Sequence, residues 1–598
     1  MKKRFNTIIL ISILLFAFFI RILKLSIIPV GITHDQLDYI INAKAIFLTG
    51  SDLTQTWNFF SLTGIKTAET VISELLPTIL ALFIGPFKFS LFSARLPFVL
   101  ANICLIYVVY LISKKLINRN TALVTALFLA INPWAIHFSR SPFESLVALT
   151  FYLTGVYLIL KLSSWKMLYA FPLFILGFFS YHALKIIFLP LLLVTLVYKF
   201  LQKKQDKKPF IALFSLGILV IVFFIVSLKF QAAASRIGEV SFLSPEIYQK
   251  AQESVYQERS LALPSQLNTL FSNKATYYLK DSIIKYLNAF SPSLLFLTGE
   301  NSGIGAYTNW HHGLFYYIDF VFLVLGLLTL YHKHKKSGIF LFALALISPL
   351  PTAVSNNNLY TLRSALLFPI LTVFIAYGIL FFIQSAKNKL KPVLIVGLTL
   401  IYLLSFINFY HIYFIAYPVY GSEGFLLSKR ILSSYLIRSK TKAKNIFISD
   451  TPIRPLFEQY LFYDNALNSK DAVRKVAKSI NNNQFIPFEN MHFSNNCLNK
   501  DIIYNKDNLV IQRSLKNCKQ SGQLDTDEKI VINKIPLKPL SISSLEDAGQ
   551  IYKIYNDTLC SKYKLNPYPR VYSYKDFEIE TMDDETFCKT WISDLNDL

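Results

Sequence analysis

Apolar runs recur at about 7–28, 92–112, 121–138, 145–162, 167–181, 184–201, 209–229, 313–331, 338–353, 364–384 and 391–412. An α-helix rises 1.5 Å per residue, so roughly 20 apolar residues cross a hydrocarbon core about 30 Å thick. A soluble core does not require blocks of that length in succession, and backbone exposed to lipid must satisfy its own hydrogen bonds. The runs therefore predict a polytopic α-helical membrane protein with about eleven transmembrane helices, 167–181 being short for a span. Composition agrees, since a chain that is 53% hydrophobic and 16% charged lacks the charged surface of a soluble protein of its length.

The net charge of +24 raises the question of nucleic acid, and its placement answers it. Eighteen basic residues gather in short segments between apolar runs: Lys2, Lys3, Arg4; Lys114, Lys115, Arg119; Lys161, Lys166; Lys203, Lys204, Lys207, Lys208; Lys333, Lys335, Lys336; Lys387, Lys389, Lys391. Such clusters are positive-inside topology signals, so no nucleic-acid partner is expected. The first run follows Met-Lys-Lys-Arg but continues to Ile28 without a small-residue cleavage site, which reads as an anchor. Threading from a cytoplasmic N-terminus puts every cluster on the cytoplasmic side and requires an odd number of spans. The expected location is the plasma membrane, multi-pass, with the tail extracytoplasmic.

Two domains are expected: a membrane domain over 1–412, with long external loops at 29–91 and 230–312, and an extracytoplasmic α/β domain over 413–598. Ser244-Pro245-Glu246 predicts a capped helix start. A second helix is predicted over 274–289, with Tyr277, Tyr278 and Tyr286 as interfacial anchors. In the tail, short apolar strands (445–449, 508–512, 529–533) alternate with helical stretches such as 470–480. Cys497, Cys518, Cys560 and Cys588 all fall there, an even number that suggests disulfides in an oxidising compartment. Four cysteines allow three pairings, and Cys497–Cys518 with Cys560–Cys588 closes the shortest loops.

The external loops hold the candidates for chemistry. In Gly31-Ile-Thr-His-Asp-Gln-Leu-Asp-Tyr39, Asp35 lies just after the first span as a possible general base, with His34 and Asp38 as secondary candidates. The plainer reading is that Asp35 caps the following helix. Arg140 and Glu144 are four apart, able to pair on one helix face as a structural clamp or to form an ionic site at the membrane surface. His182 is a packed interfacial residue or a ligand contact, and Lys185 a snorkelling or phosphate-binding cation. Arg363 stands at the mouth of a span among Asn residues, where a guanidinium fork suits a phosphate. No P-loop, GxSxG, HExxH or CxxC pattern is present. No cofactor is expected and no metal site is indicated, with a divalent ion left open.

In order, these segments resemble the protein mannosyltransferase/aminoarabinose transferase superfamily, GT-C-fold glycosyltransferases that use polyprenyl-phosphate sugars. The resemblance covers roughly 1–412. It runs through His34-Asp35-Gln36, Asn42-Ala43-Lys44, Thr49-Gly50, Ser93-Ala-Arg-Leu-Pro97, Ser139-Arg140-Ser-Pro-Phe-Glu144, Tyr181-His182 with Lys185 and Pro190, Phe290-Ser-Pro292, Gly299-Glu300 and Leu362-Arg363-Ser364. The family's usual Asp-Glu is Asp35-Gln36 here, Lys185 stands where an Arg is common, and the stretch around Tyr360 replaces a usual His. The resemblance implies transfer of a monosaccharide from a polyprenyl-phosphate donor to an acceptor hydroxyl on a protein, lipid or surface polymer, at the outer face of the membrane. Asp35 would be the base of an inverting single displacement. Arg363 and Lys185 would bind the phosphate, and Arg140, Glu144 and His182 would shape the donor site. A flippase for lipid-linked sugars would use the same basic groups without bond breaking, though paired broken helices and repeat symmetry are not evident. An inactive member of the superfamily is a third reading.

Overall fold

The structure is a computed structural model. It describes all residues except 1, 59–60, 62–63, 68–70, 203–205, 230–243, 301–304, 308–310, 481–483, 515–517, 519–522, 525–530, 533–534, 537 and 595–598. Lys203, Lys204, residues 230–243, 301–304 and 308–310 of the 230–312 loop, and part of the expected 529–533 strand lie outside the described residues.

Every one of the predicted apolar runs contains a helix. Among the described residues, eight helices are long and apolar enough to cross a membrane, from Arg4–Ile22 to Lys391–Tyr420. A ninth is possible if Arg119–Ile131 and Pro133–Ser139, bent by 59°, form one span. The remaining two runs hold the shorter Ser164–Ser180 and the 15-residue Asp319–Lys333. The bend has a local cause: Asn132 ends one helix and caps the next by accepting from Ala135 N, and Pro133 at the first helical position has no N–H to continue the ladder. An apolar helix at Leu75–Ile84, inside a stretch read as external loop, was not anticipated.

The chain divides into two compact units, one of residues 1–23, 73–76 and 96–413, the other of 24–72, 77–95 and 414–598. In the first, Ser244 caps Pro245–Ser260 with Pro at its start, as expected. The predicted second helix is Lys274–Asn288, and the Tyr286 hydroxyl donates to Leu346 O at 2.7 Å.

The second unit is built on a mixed six-stranded sheet. Its order is Phe485–Phe488, Met491–Ser494, Asn445–Ser449, Asn508–Arg513, Gln550–Tyr555, Leu540–Ser543. Asn445–Ser449 runs parallel to both neighbours, and the other pairs are antiparallel. Helices Ile453–Tyr463 and Lys470–Ser479 complete the α/β character expected of the tail. Both disulfides have the predicted connectivity, Cys497–Cys518 and Cys560–Cys588. The early part of the first loop packs in this same unit: Gln459 Nε2 donates to Ile32 O at 2.8 Å, and Arg430 donates to Val30 O.

Candidate functional sites

Asp35 sits in the first turn of the helix His34–Thr49 but does not cap it. The cap is Thr33, whose hydroxyl accepts from Gln36 N while the Gln36 side chain accepts from Thr33 N. This reciprocal pair is a capping box, a task that Gln performs as readily as Glu. The plainer reading of Asp35 thus fails. Its carboxylate is exposed, and among the described residues it makes no hydrogen bond or ion pair. Asp38, on the next turn, is buried and hydrogen-bonded to Glu458, which is itself buried and ion-paired to Arg454 at 2.9 Å. Burial first, and the Glu458 charge second, hold the Asp38 carboxyl well above the usual carboxylate range. Asp38 is thus buried and already engaged by Glu458.

Arg140 and Glu144 do not share a helix. Arg140 is the C-cap of Pro133–Ser139, and Glu144 opens Glu144–Lys161. The expected four-residue spacing on one face is therefore interrupted. The Arg140 guanidinium is fully buried and donates to the carbonyls of Arg21 at 2.8 Å and Ile20 at 3.4 Å. Lys185 Nζ lies 4.2 Å from the Phe224 ring centroid and within 5.5 Å of Phe178 and Phe179. It is 3.4 Å from His182 Nδ1, so these two candidates do meet. Sequence reading missed Glu74, whose carboxyl burial pushes up while the nearby Lys185 partly offsets the shift. No spacing rule connects positions 74 and 185.

Arg363 ends the one-turn helix Tyr360–Arg363. Its side chain is 6% exposed. Nη1 donates to Asn357 O at 3.1 Å, while buried Nε has no hydrogen-bond partner. No carboxylate pairs with this guanidinium among the described residues. Two distant sequence segments converge on Thr361 in the same turn. Glu300 Oε2 accepts from Thr361 N at 2.6 Å and from the Thr361 hydroxyl at 2.5 Å, and Trp134 Nε1 donates to Thr361 O at 3.1 Å. On the facing loop, Lys285 Nζ donates to Ser355 O at 2.9 Å and pairs with Asp281. Among the described residues, no group of three His, Cys, Asp or Glu side chains is placed to hold a metal.

Residues 75–228 match the family model described as Dolichyl-phosphate-mannose-protein mannosyltransferase. The matched segment spans 154 of the 598 residues, about a quarter of the chain. No curated protein matches the sequence. Among solved structures, it is similar to ArnT from Cupriavidus metallidurans in the apo state (11% identity, 93% of this chain and 99% of that one, TM-score 0.48). ArnT bound to undecaprenyl phosphate gives 10% identity, 92% and 98% coverage and a TM-score of 0.47. The archaeal oligosaccharyltransferase AglB from Archaeoglobus fulgidus, in complex with an inhibitory peptide and a dolichol-phosphate, gives 13%, 93% and 75%, and 0.44.

Proposed function

We propose that the protein transfers a monosaccharide from a polyprenyl-phosphate donor to an acceptor hydroxyl, by a single displacement with inversion, at the outer face of the membrane. The observation that carries this reading is Arg363, a buried guanidinium with an unused Nε and no carboxylate partner among the described residues. A buried cation is costly unless several acceptors or an anion satisfy it; Arg363 has one carbonyl, and a guanidinium fork suits a phosphate monoester or diester. Arg363 then balances the charge of the leaving polyprenyl phosphate as the bond between sugar C1 and phosphate oxygen breaks. Asp35 takes the acceptor proton as the acceptor oxygen bonds to C1. It is an exposed carboxylate that makes no hydrogen bond or ion pair among the described residues, whereas Asp38 is occupied by Glu458. Lys185 adds a second, weaker positive charge, tempered by Glu74. The burial of Arg140 on carbonyls favours a clamp that shapes the donor region over direct sugar contact. His34, Glu144 and His182 are supporting residues in this reading. The acceptor is a protein, lipid or surface polymer.

The test is release or transfer of label from a radiolabelled polyprenyl-phosphate sugar by the purified protein in lipid. Asp35→Asn should lower turnover by about 10²–10⁴-fold with normal folding and donor binding. Translocation of the donor without any glycosyl release would instead establish the flippase reading.

A further inference from the structure

Gly299-Glu300 enters the sequence only as one of the ordered motifs, with no role of its own, yet Glu300 supplies something the chain near Arg363 lacks. Tyr360–Arg363 is a single helical turn, and its N-cap, Leu359, offers no side-chain hydrogen bond. The first N–H groups of any helix have no partner within the helix, and a one-turn helix has little else to hold it. Here the missing acceptor comes from 61 residues away: Glu300 Oε2 takes both the N–H and the hydroxyl of Thr361. Trp134, 227 residues away in sequence, donates to the carbonyl of the same residue. The backbone donor, backbone acceptor and hydroxyl of Thr361 are thus all committed. The turn closes with Arg363 N donating to Leu359 O at 3.0 Å. Glu300 is 3% exposed, so these charge-assisted hydrogen bonds act away from competing water.

From this geometry we infer that Glu300 is a positioning residue for Arg363. By capping the turn through Thr361, it holds the guanidinium ready for the donor phosphate. The inference rests on the reading of Arg363 as the phosphate-binding group. It adds that the affinity of Arg363 depends on a carboxylate that does not touch the ligand. A phosphate site gains when its cation is already oriented, because no ordering cost remains at binding.

The experiment measures undecaprenyl phosphate binding to the purified full-length protein in nanodiscs, for Arg363→Ala, Glu300→Ala, Glu300→Gln and the double variant Glu300→Ala/Arg363→Ala. Arg363→Ala alone tests the underlying reading, and unchanged affinity there would remove Arg363 from the phosphate site. If affinity falls, Glu300→Ala should weaken binding by about 10-fold or more, the scale of one charge-assisted hydrogen bond. Glu300→Gln retains an oxygen that accepts from Thr361 and should recover affinity to within about threefold of the parent. In the Arg363→Ala background, Glu300→Ala should have no further effect. A purely structural role would lower affinity equally in both backgrounds, and that additive result, or an unchanged affinity in folded Glu300→Ala, would overturn the positioning role. Should Glu300→Ala not fold, Thr361→Val, which removes only the hydroxyl, gives the same comparison with a smaller expected loss.

Discussion

Buried arginines are handled differently in the spanning helices and in the tail. On the spanning helices, Arg21 donates to the carbonyls of Ala17, Leu129 and Ala130 and to the Asn102 side chain. Arg95 donates to the carbonyls of Leu25, Pro29 and Gly31, and Arg140 to those of Ile20 and Arg21. In the tail, Arg430 makes a two-pronged pair with Glu580 at 2.7 Å on each prong. Arg454 pairs with Glu458 at 2.9 Å, and the part-exposed Arg513 pairs with the fully buried Asp450 at 3.0 Å. Carbonyls at the end of a helix carry partial negative charge and several acceptors, so they satisfy a guanidinium without desolvating a second ion. The tail instead neutralises its arginines with carboxylates, and each partner then depends on the other. Arg363 fits neither pattern. It has one carbonyl and no carboxylate, and this sets it apart from the structural arginines of the same helices.

The contrast can be broken most forcefully at Arg454. Arg454→Ala leaves Glu458 buried beside the Asp38 carboxyl without its cation, and the tail should lose about 3–5 kcal/mol of stability. Thermal unfolding of the tail measures this, and an unchanged transition would show that its buried charges do not depend on pairing. The disulfides come next. Cys560→Ser/Cys588→Ser opens a loop of sequence separation 28 and should cost the tail about 3 kcal/mol. Non-reducing peptide mapping of the parent should recover both bridges.

The two kinds of arginine on the spanning helices should then separate. Arg140→Met removes hydrogen bonds to neutral carbonyls and should cost about 1–3 kcal/mol in stability while leaving undecaprenyl phosphate binding unchanged. Arg363→Met should do the reverse. A fall in binding for Arg140→Met would return that residue to the ligand site. The smallest expected effect concerns pH. Burial, assisted by Glu546, raises the Glu423 carboxyl to about 7 from an unperturbed 4.5. A carboxyl that holds its proton more tightly when folded lowers stability as pH rises between those two values. Over that window the tail should become less stable, and Glu423→Gln should flatten the dependence. An identical pH profile in the variant would show that Glu423 does not titrate there.

What was readable in the sequence was local in origin. The runs of apolar residues located the helices, because spanning length and hydropathy are properties of one continuous segment. The Ser244-Pro245 helix start follows from backbone chemistry within a few residues, whereas the break at Asn132-Pro133, inside a run read as continuous, emerged only in the structure. The disulfide pairing followed from loop length. The candidate site was readable only in part. Arg363 and Lys185 stood out as rare positive charges on otherwise depleted loops, and Asp35 by its place after the first span. Their surroundings were not readable. The cap that relieves Asp35 of a structural task needed the Thr33–Gln36 geometry, and the commitment of Asp38 depends on Glu458, far along the chain in the tail. Whether Arg140 faces a ligand or a set of carbonyls was equally open until the helices were packed. A side chain's residue type and spacing are written in the sequence. The partner that occupies its donors or acceptors is chosen by long-range packing, and only the tertiary structure decides that choice.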